Sequence, residues 1–216
     1  MSVDLREQLE AIMENVRENL AAKHRAREQA LSRSRDVIRH SANAIRAIHR
    51  GEASSARQLI ETGRRMLAEI EAVLAEHRDI YHAGFVHDAQ KEFAEASLTL
   101  ALVFGEPLPA PVELQISAAA YLNGLGEAVG ELRRHVLDVL RTGDAGECES
   151  YLAAMDEIYA LLVTVDYPDA MTGGLRRTTD VTRGILEKTR GDLTLAAQQY
   201  ALVRRLDAFE RHYARP

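Results

Sequence analysis

The sequence predicts an all-α protein, folded as an antiparallel helical bundle in one domain that spans residues 1–216. Residues that favour helices, above all Ala, Leu, Glu and Arg, are abundant, and there are only five prolines. Apolar residues recur at helical spacing along most of the chain, and no segment alternates with the period of two typical of a strand. No internal repeat or long linker divides the chain, and 216 residues suffice for one hydrophobic core.

The first predicted element is a long helix over about residues 4–50. Leu31, Ile38 and Ile45 recur every seven residues, and Gly51 is placed to end the helix. From Lys23 to Arg50 the segment is basic. Four of its arginines share one helical face: Arg35, Arg39, Arg46 and Arg50. Either a solvated charged face or a surface for phosphate groups explains this pattern, although the net charge of the whole chain is -6.

Five further helices follow in the pattern. They are predicted at about residues 54–77, 85–104, 112–140, 148–165 and 175–213, with the last one continuous or divided in two. A glycine and three prolines between residues 105 and 111 separate the third helix from the fourth. No apolar run approaches the length of a membrane span, and the charged N-terminus does not resemble a secretory signal. We therefore expect a soluble, cytoplasmic protein.

Two pairs of glutamates mark the helices predicted at 85–104 and 112–140. Glu92 and Glu95 lie three residues apart, directly before an apolar run, and Glu127 and Glu131 lie four apart on the next helix. Three glycines interleave with the second pair, at positions 124, 126 and 130. Because each glycine inside a helix costs about 1 kcal/mol relative to alanine, they indicate close approach of another helix or of a substrate backbone.

Paired glutamates on a helix are most often a solvated face. If these two helices are neighbours, however, their carboxylates converge and raise each other's pKa, and a hard cation such as Mg²⁺ relieves the repulsion. A di-iron bundle is disfavoured because the chain contains no Glu-x-x-His sequence. The single cysteine, Cys148, lies in an expected polar turn and excludes an intramolecular disulfide.

Four segments, in the right order, resemble the translin family and within it the translin-associated factor X (TRAX) branch. They are "SRDVIRHSANAIRAIHR" (34–50), "QKEFAEA" (90–96), "YLNGLGEAVGELRR" (121–134) and "LRTGD" (140–144). The resemblance implies about seven helices, assembly of identical subunits into a closed oligomer, and binding of single-stranded RNA and DNA. For the TRAX branch it also implies Mg²⁺-dependent endoribonuclease activity, with Mn²⁺ as a substitute ion.

The residues that match the catalytic set of this branch are Glu92, Glu95, Glu127 and Glu131. Glu92, Glu95 and Glu127 are the expected metal ligands. Glu131 is expected to act as a ligand, as support for the ligands, or as a base. The family commonly has Asp where this chain has Glu127, which moves that carboxylate outward by one methylene. The four arginines of the first helix are the expected nucleic-acid surface, and with no Trp in the chain recognition should rest on the backbone.

Two other functions fit the same sequence. A translin-like protein that binds single-stranded RNA or DNA without cleaving it would carry the carboxylates as remnants. A purely structural helical assembly module would bind no nucleic acid, and the row of arginines disfavours it. The presence of all four glutamates favours the nuclease over the non-catalytic binder.

Overall fold

The structure is a computed structural model that describes residues 4–142 and 148–213, and these residues contain nine helices and no strand. Six helices are long and three are single turns. Their bounds are α1 Leu5–His49, α2 Ala53–Val73, α3 Arg78–Tyr81, α4 Gly84–Phe104, α5 Pro111–Leu114, α6 Ala118–Thr142, α7 Cys148–Leu162, α8 Asp169–Thr172 and α9 Leu175–Tyr213. The all-α prediction is confirmed. The "LRTGD" segment lies partly outside the described residues.

The first helix, α1, begins at the cap residue Asp4, whose carboxylate accepts a hydrogen bond from the backbone N–H of Arg6. It ends before Gly51, which has φ +74°. The buried face consists mostly of small residues: Ala26, Ala30, Ser34, Val37, Ser41, Ala44, Ile45, Ala47 and Ile48. Of the predicted Leu31/Ile38/Ile45 seam, Ile45 is buried and Ile38 is partly buried against the core. Small side chains there let α2 and α4 pack closely against α1.

The central helix is α4, which contacts α1, α2 and α6. Its apolar run is buried as predicted, and Phe93 and Leu98 are fully inaccessible to solvent. The polar Ser97 is accommodated within this run because its hydroxyl donates to the backbone carbonyl of Phe93. The helix ends at Gly105, whose left-handed conformation (φ +66°) stops the chain before the proline segment.

The helix predicted over residues 112–140 is wrong at its start, because the chain forms α5 and α6 with a break between them. Gln115 closes α5 in a left-handed conformation (φ 57°) that a residue other than glycine rarely adopts. Ser117 then starts α6, since its hydroxyl accepts from the backbone N–H of Ala120. The side chain of Gln90 in α4 accepts from the backbone N–H of Ser117 and ties the break to α4.

Apolar side chains form two main clusters, one among α1, α2 and α4 and the other among α6, α7 and α9. Ala94, Leu98 and Ala128 form a smaller cluster between α4 and α6. The contact between α4 and α6 therefore joins the two halves of the core. Cys148, expected in a polar turn, is instead the buried first residue of α7.

The two ends of the long helices extend beyond the core. In α1 the exposed apolar residues are Leu5, Leu9, Ile12, Met13, Val16 and Leu20. In α9 they are Leu195, Leu202, Val203, Leu206 and Phe209. No helix in the part of the chain that the structure describes is both long enough and apolar enough to cross a membrane.

Candidate functional site

The glycines of α6 determine how closely this helix approaches its neighbours. A Cβ atom on Gly124 would lie 2.6 Å from the Cβ of Ala94 and 2.7 Å from the backbone oxygen of Lys91, so only glycine fits against α4. A Cβ on Gly126 would lie 2.5 Å from Cγ2 of Thr178 in α9. The predicted close approach of another helix is thus confirmed at both positions, whereas Gly130 allows an ordinary contact.

This close contact brings three carboxylates together. One carboxylate oxygen from each of Glu92, Glu95 and Glu127 lies within 4.8 Å of the others, and Glu95 is more deeply buried than the other two. We call these three residues the carboxylate cluster. Two of them come from α4 and one from α6, so their spacing is set by packed helices and not by a loop.

The electrostatics of the cluster disfavour three negative charges. Burial raises the pKa of Glu95 to about 8, and the carboxylates of Glu92, Glu127 and Glu131 add to the shift. Burial also raises the pKa of Glu92, although Lys91 opposes the effect. Within the described residues, the Glu95 carboxylate has no hydrogen bond or salt bridge. In the absence of a bound cation the Glu95 carboxyl therefore keeps its proton up to a pH of about 8, and a cation bound beside it would favour the ionised form.

Lys91 is a member of the site that the sequence analysis missed. Its Nζ lies 2.6 Å from Oε1 of Glu127 and 3.5 Å from Oε1 of Glu92. Burial acts to lower the pKa of Lys91, but the hydrogen bond to Glu127 and the surrounding carboxylates raise the pKa above its usual value. Its position four residues before Glu95, on the same helical face, was the available signal.

Glu131 lies at the edge of the site and does not join the carboxylate cluster. Its Oε2 is 2.5 Å from Nε2 of His49, the last residue of α1, and 4.0 Å from the guanidinium of Arg134. The His49 side chain is only 4% exposed, and its buried Nδ1 has no hydrogen-bond partner within residues 4–142 and 148–213. His49 was not among the predicted site residues, although it directly precedes Arg50 at the end of the "SRDVIRHSANAIRAIHR" segment.

The four arginines predicted to bind nucleic acid are all exposed; three lie on α1, and Arg50 directly follows its last residue. Arg39 pairs with Asp36 at 2.9 Å and Arg50 with Glu52 at 2.7 Å. Arg46 contacts the side chain of Asn43, and neither Arg46 nor Arg35 has a carboxylate partner among the described residues. The row ends beside His49, so it leads toward the edge of the acidic site.

The donor set of the carboxylate cluster suits a hard cation. All three donors are carboxylate oxygens, the ligands that Mg²⁺ and Mn²⁺ prefer, and no histidine or cysteine belongs to the group. A cation bound beside Glu95 would lower the raised pKa of its carboxyl and hold the carboxylate in its ionised form. The ammonium of Lys91 lies among the same carboxylates, so it competes with a cation for them.

Fold and site together define a helical-bundle protein with a carboxylate-lined candidate metal centre between two packed helices. No family model matches the chain. Among solved structures, the chain is similar to AfC3PO alone and to AfC3PO in complex with duplex RNA. In each comparison the identity is 34%, the TM-score is 0.80, and the match covers 87% of this chain and 97% of AfC3PO. The chain belongs to the translin family, of which the C3PO proteins are members.

Two further proteins are similar to this chain. An uncharacterised protein of Methanocaldococcus jannaschii is 32% identical over 188 residues, which cover 85% of this chain and 82% of the relative. The structure of apo-NeC3PO matches with a TM-score of 0.77 over 85% of this chain and 96% of NeC3PO. At 19% identity this last match shows a shared fold.

Proposed function

We propose that this protein is a Mg²⁺-dependent endoribonuclease of the TRAX-like branch, which binds and cleaves single-stranded or short RNA within an oligomeric shell. The observation that carries the proposal is the convergence of Glu92, Glu95 and Glu127 to within 4.8 Å at the contact between α4 and α6. These are the positions that resemble the catalytic set of the branch. The complex of AfC3PO with duplex RNA supports RNA as the substrate.

Glu92, Glu95 and Glu127 would hold Mg²⁺ or Mn²⁺, directly or through water. When bound, the ion supplies an activated water molecule and neutralises the negative charge that develops on the phosphodiester. The protein positions the ligands, because the buried helix α4 fixes Glu95, and Gly124 sets the distance between α4 and α6. Lys91 holds Glu127 in place and offers a positive charge to an approaching phosphate.

Glu131 acts from the edge of the cluster, where His49 holds one of its oxygens. In this position Glu131 adds negative charge near Glu95 and can accept a proton from a water molecule or support a ligand. Because His49 belongs to α1, the same contact connects the acidic site to the helix that carries the arginines. The RNA backbone would follow Arg35, Arg39, Arg46 and Arg50 toward the carboxylates.

The apolar ends of α1 and α9 support assembly. Each presents at least five large apolar side chains to solvent, more than isolated surface residues would explain. Contacts between copies of the chain would cover them. Single-stranded DNA is a second expected ligand, because the arginines contact phosphates that RNA and DNA share.

A non-catalytic RNA-binding function is the alternative, and Lys91 is the observation that favours it. Its ammonium already neutralises part of the cluster in the absence of a metal ion. The deciding experiment incubates the purified protein with end-labelled single-stranded RNA in Mg²⁺ or in EDTA. We expect cleavage only with Mg²⁺, and we expect Glu92→Gln and Glu127→Gln to remove most of the cleavage while RNA binding persists. Cleavage that is indifferent to EDTA, or undiminished in both variants, would leave the nuclease without a site.

A further inference from the structure

A cleft of about 560 Å³ opens beside the carboxylate cluster, and none of the roles proposed above uses it. Glu95 and Glu127 lie on its wall, together with Lys91. Its size falls within the range of about 300–1,000 Å³ that is typical of pockets for small ligands. A group bound there would lie directly against two of the three carboxylates.

The first part of α9 forms the opposite wall. Arg177, Val181 and Ile185 recur every four residues and all line the cleft from one helical face. The side chain of Val181 is 55% exposed, so this apolar surface is available to a ligand in the described structure. An apolar wall with a cation at one end suits a ligand that has both a flat apolar part and a negative charge.

Arg177 supplies that cation. Its guanidinium has no salt bridge with a carboxylate among residues 4–142 and 148–213, although Asp88, Glu95 and Glu127 line the same cleft. Farther along α9, by contrast, Arg183 pairs with Glu187 and Arg190 with Asp156. The hydrogen-bond donors of Arg177 are therefore available to an anion, and phosphate is one of the anions that a guanidinium binds through two parallel hydrogen bonds.

The wall is held in place before any ligand binds. Asn123 of α6 donates to the backbone oxygen of Thr172 and accepts from the hydroxyl of Thr178, which fixes the turn into α9. Gly173 adopts φ +61°, and a Cβ there would lie 2.9 Å from the ring of His87 in α4. The three helices around the cleft are thus joined by specific contacts, which reduces the cost of ordering a ligand.

We propose that this cleft binds the nucleotide that flanks the scissile phosphodiester, with its phosphate on Arg177 and its base against Val181 and Ile185. The position of the scissile bond rests on the proposed nuclease function, whereas nucleotide binding in the cleft does not require cleavage. The cleft therefore selects a nucleic-acid strand whose terminal or unpaired base can leave a stack, since a paired base does not present a free face to α9.

The test compares Arg177→Ala with Arg176→Ala, a neighbour that makes the same change in charge but does not line the cleft. Binding of a labelled single-stranded hexaribonucleotide is measured in EDTA over a range of salt concentrations. We expect Arg177→Ala to weaken binding about tenfold. The same variant should flatten the salt dependence by about 0.7 on a log–log plot. Arg176→Ala should stay within about twofold of wild type.

A second variant addresses the apolar wall. Val181→Asp places a negative charge where the base would lie. Because Val181 is exposed, we expect this variant to fold, so weaker binding would report the loss of the apolar contact. Val163→Asp, at a residue that is 53% exposed outside the cleft, is its control.

In Mg²⁺, Arg177→Ala should raise KM about tenfold and leave kcat within about twofold, because the lost contact serves substrate binding.

The outcomes separate this inference from the proposed nuclease. If the wild type does not cleave RNA but Arg177→Ala and Val181→Asp still weaken binding selectively, the nuclease is wrong and the cleft stands. If the wild type cleaves but Arg177→Ala matches Arg176→Ala in affinity, salt slope and KM, the cleft assignment is wrong and the nuclease stands. A wild type that does not bind the hexaribonucleotide overturns the assignment as well.

Discussion

Replacing Glu95 with glutamine should stabilise the metal-free protein, and the gain should grow as the pH rises from about 5 to about 8. Glutamine keeps the size of the side chain but cannot ionise in its buried position. The folded protein raises the pKa of this carboxyl from 4.5 to about 8, first through burial and then through neighbouring carboxylates. Between these two values the folded state holds a proton that the unfolded state has released.

The sign follows from proton linkage. Where the folded state binds more protons than the unfolded state, the free energy of unfolding falls as the pH rises. The loss through Glu95 begins near the unfolded pKa of 4.5 and levels off above about 8. With those two values, ionisation costs the wild type below about 1 kcal/mol at pH 5, about 3 kcal/mol at pH 7 and about 4 kcal/mol at pH 8. Glu95→Gln removes this cost.

The assay is denaturant unfolding of wild type and Glu95→Gln in EDTA at several pH values, at one protein concentration. Glu76→Gln is the matched control, because Glu76 is exposed and lies in the turn after α2. The difference in the free energy of unfolding between Glu95→Gln and wild type should increase with pH, while Glu76→Gln stays flat. Mg²⁺ should stabilise the wild type more than Glu95→Gln. A difference that does not change with pH would refute the electrostatic account of the cluster.

Three further predictions concern the helix contact, the arginines and the assembly. In denaturant unfolding, Gly124→Ala should destabilise the fold by about 1–3 kcal/mol, because the new methyl group meets Ala94 and the backbone of Lys91, and it should also reduce cleavage. The control is Gly184→Ala, whose methyl group meets nothing within 4 Å; it should be neutral or stabilising by up to about 1 kcal/mol in the same experiment. The double variant Arg35→Ala/Arg46→Ala should flatten the log–log slope of RNA affinity against salt concentration by about 0.7 per lost phosphate contact. The control double variant Arg57→Ala/Arg65→Ala, on α2, should leave the slope unchanged. Equal slopes for the two double variants would place the RNA elsewhere. Light scattering should give a mass of several times 24.0 kDa at micromolar concentration, and a monomer mass would contradict assembly through the ends of α1 and α9.

The sequence predicted those parts of the fold whose signals are local. The apolar run of α4 ends at Gly105, and α9 begins after Gly173 and Gly174, so composition and glycine placement marked these boundaries. The break before α6 escaped prediction because Gln115 is not a residue that typically takes a left-handed conformation. The hydrogen bond that ties this break to α4 comes from Gln90, a contact that no local pattern contains.

The same distinction applies to the candidate site. Helical spacing and glycine positions indicated that Glu92, Glu95 and Glu127 would converge if their helices were neighbours, and the structure brings them together. The partners of the carboxylates were not predictable in this way. His49 and Glu131 are 82 residues apart, and their contact depends on how the end of α1 packs beside α6. Lys91 turns toward α6 and pairs with Glu127, although its sequence spacing pointed to Glu95.

The catalytic and the non-catalytic functions give different roles to Lys91. Its ammonium lies 2.6 Å from Glu127 and 3.5 Å from Glu92, so it already stabilises two members of the cluster in the metal-free protein. Among the described residues Lys91 makes no salt bridge with Glu95, and its charge only partly opposes the burial and the carboxylate repulsion that raise the pKa of Glu95 to about 8. A protein that only bound RNA would gain nothing from this carboxyl, because its ionisation costs stability as the pH rises and its negative form repels phosphate. A protein that binds a cation between α4 and α6 needs such a carboxylate, with Lys91 close enough to hold Glu127 in place until the cation arrives.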